Sequence, residues 1–334
     1  MKNKPNLHSV AKDAGVSIST VSQVMRNVGR ISEATRKKIK LSAKKLNYIT
    51  DQRASSLRTG KINQVGLVLY NLSNPFNSEV INGVSDYLDT HGYLVSILDS
   101  KGSQDRQQRN LTSFIGNGKA GIIWVPTRNT PQSTINFLID QKIPLVTFLR
   151  PVEFDSFDHV GINNFKATFE ATEHLINLGH KNIIYLGGSN ASPVHMSRVE
   201  GFEEAYKTKW QSKPVIWDSG HDKKSSLDAT LLLFSKFPET TALVCDGDTV
   251  ALGAMIALNT LNLTPGKEVS IIGFDDIIEA SISMPPLTTL SLAPYQLGQK
   301  VAQVLIERIQ QPDLPRTIVT IDAKLVIRET TNKI

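Results

Sequence analysis

The stretch SVAKDAGVSISTVSQVMRN, residues 9–27, carries small side chains, hydroxyls and one glycine where a core helix would need bulk and a surface helix would need charge. Val10, Ala11 and Ala14 have the spacing of one inward face in a first helix over 9–14. Gly15 can take the positive φ that ends it. Ser17 is a good N-cap for a second helix over about residues 18–25, in which Val21 and Val24 face inward and residues 18, 19 and 23 share the outer face. Helix, glycine turn, helix is the sequence form of a helix-turn-helix, whose second helix lies in a major groove with its N-terminal residues at base edges. A face pressed against DNA excludes large apolar groups and favours short hydrogen-bonding ones, which is a use for Ser17, Ser19, Thr20 and Ser22. The competing reading is a small-residue helix in a tight bundle.

Charge favours the first reading. The net charge of +6 hides an asymmetry: residues 1–61 hold 14 Lys or Arg against 3 Asp or Glu, and the remainder holds 23 against 28. A segment of +11 on a body of −5 is the electrostatic footprint of a nucleic-acid binder. At 334 residues the chain exceeds one ordinary core and predicts two or three domains. A single cysteine, Cys245, excludes an internal disulfide and a multi-thiolate metal site and fits a reducing compartment. The polar start MKNKPNLHSVAK and the lack of any apolar run of spanning length predict a cytoplasmic protein with no membrane partner.

Ser32 can cap a third helix over 33–46, and NYITDQRASSLRTGKINQ then breaks the pattern, with one short helical piece at 52–58. From Val65 short β-branched runs alternate with amphipathic segments: VGLVLY, LVSIL, GIIWV and PLVTFL in a first series, then NIIYLGG, PVIW, ALVCD and VSIIGF in a second that begins near residue 165. Two strand–helix series predict an α/β body of two doubly wound parallel sheets facing each other across a cleft. A helix near 295–310 and one strand near 318–327 close the chain and can return to either sheet.

The opening stretch resembles the signature of the lactose-repressor (LacI/GalR) family of bacterial transcription regulators, with Ser9 for the usual Asp and Gln23 where Arg or Lys is common. The resemblance continues in order through ISEATRKKI, LNYITDQRASSLRTGK, VGLVLYNLSNPF, HLINLGHKNIIYLGG, SRVEGF, ALGAM, VSIIGFDD and PPLTTLS, so it covers essentially the whole chain. RNVGRIS and ALVCDGDTVALGAM look closest to the family's maltose-regulon repressor branch. It implies a helix-turn-helix headpiece over 1–46, a hinge over 47–62, and a core like a periplasmic sugar-binding protein, with an N-subdomain of 63–163 plus about 292–320 and a C-subdomain of 164–291 plus about 321–334. It also implies a homodimer on double-stranded, near-palindromic operator DNA. By position it gives base reading to Ile18, Ser19 and Gln23, and phosphate contact or capping to Ser17, Thr20 and Ser22. Leu57 stands where family members wedge a leucine into the minor groove, with Arg58 beside it. Gln at 23 suits adenine, where Arg would suit guanine.

In the cleft, Phe76 and Asn77 follow the first strand, and an aromatic with an amide suits a sugar's apolar ring faces and hydroxyl edges. Arg198 and Asp275 lie near opposite strand ends and can anchor several hydroxyls or pair with each other; the resemblance gives them the ligand role. His221 falls where the family often has a stacking aromatic. Gly247 holds the place of a frequent Asn, for which Asp246 or Asp248 is the candidate replacement, and Leu149 stands where some sugar-binding members have Asp. Trp124 can stack on ligand or pack in the core. LGGSNAS lacks the full spacing of a phosphate-binding loop, and His174 with His180 lacks metal spacing. No catalytic group, metal or cofactor is expected. A small effector, most simply a carbohydrate, is. The alternatives are a solute-binding protein and a doubly wound sugar-metabolising enzyme.

Overall fold

The computed structural model describes residues 4–49, 62–152, 156–188 and 192–334, and divides into two units, 1–62 and 63–334. In the first, α1 (Leu7–Ala14), α2 (Ile18–Met25) and α3 (Glu33–Lys45) bury Val10, Ala11, Ala14, Val21, Val24, Ile39 and Ala43 together. Helix α1 starts earlier than its apolar spacing indicates because Asn6 caps it. Asn6 Oδ1 accepts from Ser9 N, and Ser9 Oγ accepts from Asn6 N, both at 2.9 Å, a reciprocal capping box. Gly15 ends α1 at φ +59°, and Ser17 and Ser32 cap the next two helices. The expected helical piece at 52–58, with Leu57 and Arg58, lies outside the described residues.

The second unit holds two six-stranded sheets. One contains β1 (Gln64–Leu69), β2 (Leu94–Asp99), β3 (Gly121–Trp124), β4 (Leu145–Phe148), β5 (Asp158–Ile162) and, far along the chain, β11 (Ile318–Ile321). Its order is β11-β5-β4-β3-β1-β2, parallel throughout. The other contains β6 (Ile183–Leu186), β7 (Val215–Trp217), β8 (Ala242–Cys245), β9 (Ser270–Asp275), β10 (Thr288–Ser291) and β12 (Lys324–Val326), ordered β12-β10-β9-β8-β6-β7, with only β12 antiparallel. In each, the first strand lies between its two successors. That reversal of strand order opens a crevice at the carboxyl edge, where ligands of open α/β sheets bind.

Helices connect the strands: α4 (Pro75–Thr90), α5 (Gln104–Gly116), α6 (Gln132–Gln141), α7 (Asn164–Asn177), α8 (Pro193–Lys207), α9 (Lys223–Lys236), α10 (Asp248–Thr260), the short α11 (Ile278–Ile282) and α12 (Pro294–Gln310). Helix α12 returns to pack on α4. The approach is so close that a Cβ on Gly83 would sit 2.0 Å from the Tyr295 carbonyl, and one on Gly298 would sit 2.2 Å from that of Val80.

Two strands escape the sequence pattern. β5 reads DHVGI, and its polar residues are buried because they are satisfied: Asp158 by Arg308, His159 by the Thr147 hydroxyl at 2.9 Å. β10 buries Thr288 and Thr289, whose hydroxyls are likewise bonded. The single strand expected over 318–327 is two, β11 in one sheet and β12 in the other, because the chain crosses between sheets at Asp322 and Ala323. That crossing is tied to the β5–α7 crossing by Asn163, which donates its amide to the Ile321 carbonyl at 2.9 Å and its side chain to Asp322 at 3.1 Å.

Asp158 is a buried carboxylate of the first sheet that depends on partners from elsewhere in the chain. It accepts from Arg308 Nε and Nη2 at 2.8 Å and from the Thr317 amide at 2.7 Å, joining α12, β5 and the entry to β11. Arg308→Met leaves that carboxylate buried without its counter-ion and is expected to cost about 3–5 kcal/mol in urea unfolding. Adding Asp158→Asn should recover part of the loss, a non-additivity that marks direct coupling.

Candidate nucleic-acid interface and ligand cleft

On α2, Ile18 is 45% exposed and Ser19 is exposed beside it. Ser17 Oγ accepts from the Thr20 amide at 3.1 Å and lies 2.7 Å from both Ser19 Oγ and Thr20 Oγ1. The hydroxyls therefore form one connected group at the helix N-terminus, with Ser17 as the cap. The unsatisfied N–H groups of that first turn give the same end a partial positive charge suited to phosphate. Ser22 is half-buried, and its carbonyl accepts from Arg26 Nε at 3.0 Å.

Gln23 is half-buried, because its amide lies against Gly29. A Cβ there would sit 2.6 Å from Gln23 Oε1, and Gly29 has φ +80°. The turn carrying Gly29 is held by Arg36, which donates to Asn27 Oδ1 and the Gly29 carbonyl at 3.0 Å each and to the Ile31 carbonyl at 3.3 Å. One of the basic residues of this segment thus fixes the ground on which Gln23 rests. The sequence marked Arg36 only as charge.

In the second unit a cavity of about 180 Å³ lies at the carboxyl edges of both sheets. Phe76, Asn77, Arg198, His221 and Asp275 all line it. Phe76 and Asn77 arrive through the start of α4, where Asn74 caps the helix and Pro75 fills its first turn. Asn77 Nδ2 donates to the Asn71 carbonyl at 2.5 Å. Arg198 does not pair with Asp275. Its guanidinium stacks on Phe274 at 3.5 Å, donates to Asn164 Oδ1 at 2.8 Å and to the Asp246 carbonyl, and so presents a fixed edge.

The two carboxylates differ in state. Asp246 is buried, which opposes its charge, yet hydrogen bonds from His195 Nδ1 at 2.9 Å and Tyr185 OH at 2.6 Å, with Arg198 near, hold it well below the usual range. Asp275 is pushed up to about 7 by burial and by Asp246, against the opposing pull of Arg198 and Asn74. It also sits at φ +118°, a strained conformation for a residue with a Cβ and one that tends to occur at ligand clamps. Leu149 too has positive φ, +60°, at the end of β4, and lines the cavity.

Two alternatives that the sequence left open are decided. Asp248 does not reach the ligand space: it is fully buried, its carboxylate accepting from Thr289 Oγ1 and from the Ile277 amide at 2.9 Å. Trp124 has no exposure and donates Nε1 to Gln107 at 3.0 Å, so it belongs to the core. Gln107 Oε1 also accepts from the Thr127 amide at 2.6 Å, which secures the loop bearing Arg128. Arg128 and Arg150, on loops that carry no periodicity to mark them, and His195, in the first turn of α8, line the cavity and were missed.

The Asp275 carboxyl titrates near 3.8 when free of the fold and near 7 within it. Between those values the folded state keeps a proton that the unfolded state has released, so this group costs stability increasingly as pH rises from about 4 to about 7. Asp275→Asn should therefore stabilise the ligand-free chain at about pH 8 by an unfolding free energy on the order of 1–3 kcal/mol, seen as a higher melting point, and leave it little changed at about pH 4. Melting curves across that range check the sign, and a loss of stability at the alkaline end would contradict it.

Two family descriptions match the chain: "Bacterial regulatory proteins, lacI family" over residues 6–51 and "Periplasmic binding proteins and sugar binding domain of LacI family" over residues 62–329. The Escherichia coli K12 ribose operon repressor is 31% identical over 92% of this chain and 94% of its own length. The E. coli K12 maltose regulon regulatory protein MalI is 27% identical, covering 97% and 98%, and the HTH-type transcriptional repressor PurR of Actinobacillus pleuropneumoniae serotype 3 (strain JL03) is 30% identical over 91% of each. Among solved structures, the lac repressor dimer bound to operator and an anti-inducer has the same fold, with TM-score 0.86, 24% identity and coverage of 99% and 100%. With a lacI-family helix-turn-helix at one end and that family's sugar-binding body over the rest, the chain belongs to the LacI family of bacterial regulatory proteins.

Proposed function

We propose that this chain is a ligand-controlled transcriptional repressor that binds a near-palindromic operator as a homodimer, with a carbohydrate or related small metabolite in the cleft as its effector. The observation that carries this reading is the pairing, on one chain, of a +11 unit exposing Ile18 and Ser19 at a helix N-terminus with a body whose two sheets share a cavity lined by both apolar and charged side chains. Relatives over nearly the full length are repressors or regulatory proteins. A solute-binding role or a sugar-metabolising activity would leave the basic unit without a purpose, and the role requires no chemical step in the cleft.

Helix α2 enters the major groove. Gln23 reads adenine through a bidentate amide contact, Ile18 meets a thymine methyl, and Ser19 completes the base-facing set. Ser22 and the capped N-terminus at Ser17 and Thr20 face phosphate. Leu57 wedges the minor groove at the operator centre, with Arg58 on base edges or phosphate. Effector binding shifts the population between two arrangements of the body, and the operator affinity follows in proportion to the effector's preference for one of them.

Selection from randomised duplexes, followed by gel-shift titration at several salt concentrations, tests the reading. A sequence preference with a steep fall in affinity as salt rises is expected. Salt-insensitive binding, or none, would sink it. With the preferred duplex known, Gln23→Ala should cost about 1–3 kcal/mol on that site and relax the preference at one base pair. A uniform loss across all variants would instead assign Gln23 to packing against Gly29.

A further inference from the structure

The cavity's two walls differ in charge. From the first sheet, the loops after β1, β3 and β4 bring Tyr70, Asn71, Asn74, Arg128 and Arg150, and no carboxylate from that sheet lines the cavity among the described residues. From the second come Arg198, Asp246 and Asp275. Two guanidinium groups on the first wall thus face a wall that carries one guanidinium and two carboxylates. Asp246 is already engaged by Tyr185 and His195, and Asp275, pushed up to about 7, carries only part of its charge at neutral pH.

Arg150 is the decisive group. It stacks over the Tyr70 ring at 3.8 Å and donates Nη1 to the Pro126 carbonyl at 3.2 Å, and it forms no ion pair among the described residues. Burial above all, with Arg128 and Arg198, disfavours its charge against the support of Tyr70. Arg128 Nη2 lies 3.1 Å from His221 Nε2, bridging the walls. Burying the Arg150 guanidinium without an ion pair among the described residues is unfavourable until an anion arrives. The planar guanidinium fork suits carboxylate and phosphate oxygens, which it can bind in bidentate pairs. Asp275 and Arg198 opposite, with Asn77 on the near wall, offer the mixed donors and acceptors that hydroxyls need.

We infer that the effector is a carbohydrate carrying a fixed negative charge, a phosphate or a carboxylate, whose anionic group sits against Arg150 and Arg128 while its hydroxyls meet Asp275, Asn77 and Arg198. This rests on reading the cleft as the effector site and adds the chemical class. The sugar gives shape and orientation; its charge pairs with Arg150.

A paired thermal-shift screen of the full chain tests it. Hexose phosphates, uronic acids and aldonic acids are each run beside the neutral parent sugar, with sodium phosphate alone as a further arm. At least one anionic sugar should raise the melting point where its neutral parent does not, since a ligand selective for the folded state must do so. The phosphate and carboxylate arms identify which anion is used. Arg150→Gln should then weaken that sugar roughly tenfold or more, with Arg150→Lys recovering part of the loss by keeping charge without the fork. Circular dichroism of both variants separates this from misfolding, and Arg128→Gln gives a second reading of the same wall. The inference is overturned by a neutral sugar that stabilises as well as its anionic partner, by no anionic sugar stabilising, or by sodium phosphate alone matching the sugar phosphate. The cleft reading has its own test: it fails if a sugar that stabilises the chain binds equally well to Asp275→Asn.

Discussion

Parallel pairing is the constraint on which the molecule depends. Every strand of a parallel sheet delivers the loop that follows it to the same edge, and a reversal of strand order leaves a crevice there. Here both sheets reverse beside their first strand, so the loops after β1 and β3 part in one sheet and those after β6 and β8 part in the other. The side chains brought to the cavity, from Tyr70 to Asp275, are consequences of that geometry. The crossings near Asn163, Ala293 and Asp322 then set how the two edges face. Two of them are joined by the hydrogen bond from Asn163 to the Ile321 carbonyl, so a change in one crossing is felt at the other.

What the sequence made legible follows from which forces act locally. Caps are local, and Gly15, Ser17 and Ser32 mark their helices without help from the rest of the fold. Buried strands of β-branched residues are local too, which is why β1 to β4 and β6 to β9 stand out. β5 and β10 do not, because their buried Asp158, His159, Thr288 and Thr289 are tolerated only through partners remote in sequence, such as Arg308 and Arg328. The break between β11 and β12 depends on which sheet each half joins, and no periodicity within 318–327 records that.

The cavity divides along the same line. Phe76, Asn77, Arg198, His221 and Asp275 were reached from strand ends and from the family resemblance, and they line one space. The sequence did not indicate the state each would be in. Asp246 and Asp248 are two residues apart at the start of one helix. One keeps its charge through His195 and Tyr185; the other is turned inward onto Thr289 and Ile277, its carboxyl pushed well up by burial and by Asp275. Only the direction of each side chain separates them, and direction is decided by residues some 40 to 50 positions away in the chain for Thr289 and His195.

Strain and charge in the cleft point the same way. Asp275 is held at positive φ with a raised pKa, and Arg150 is stacked in a cationic neighbourhood with its charge disfavoured. Each is unfavourable in the ligand-free chain and would be relieved by a ligand that donates to one and accepts from the other. A pocket built so binds weakly for its contact area when the ligand lacks either function, because the unpaired group remains desolvated. Selectivity in such a site comes from the penalty on incomplete ligands as much as from attraction to the complete one. The same penalty gives an effector leverage over conformation, since relief that exists in only one arrangement of the two sheets is the differential affinity that shifts a population.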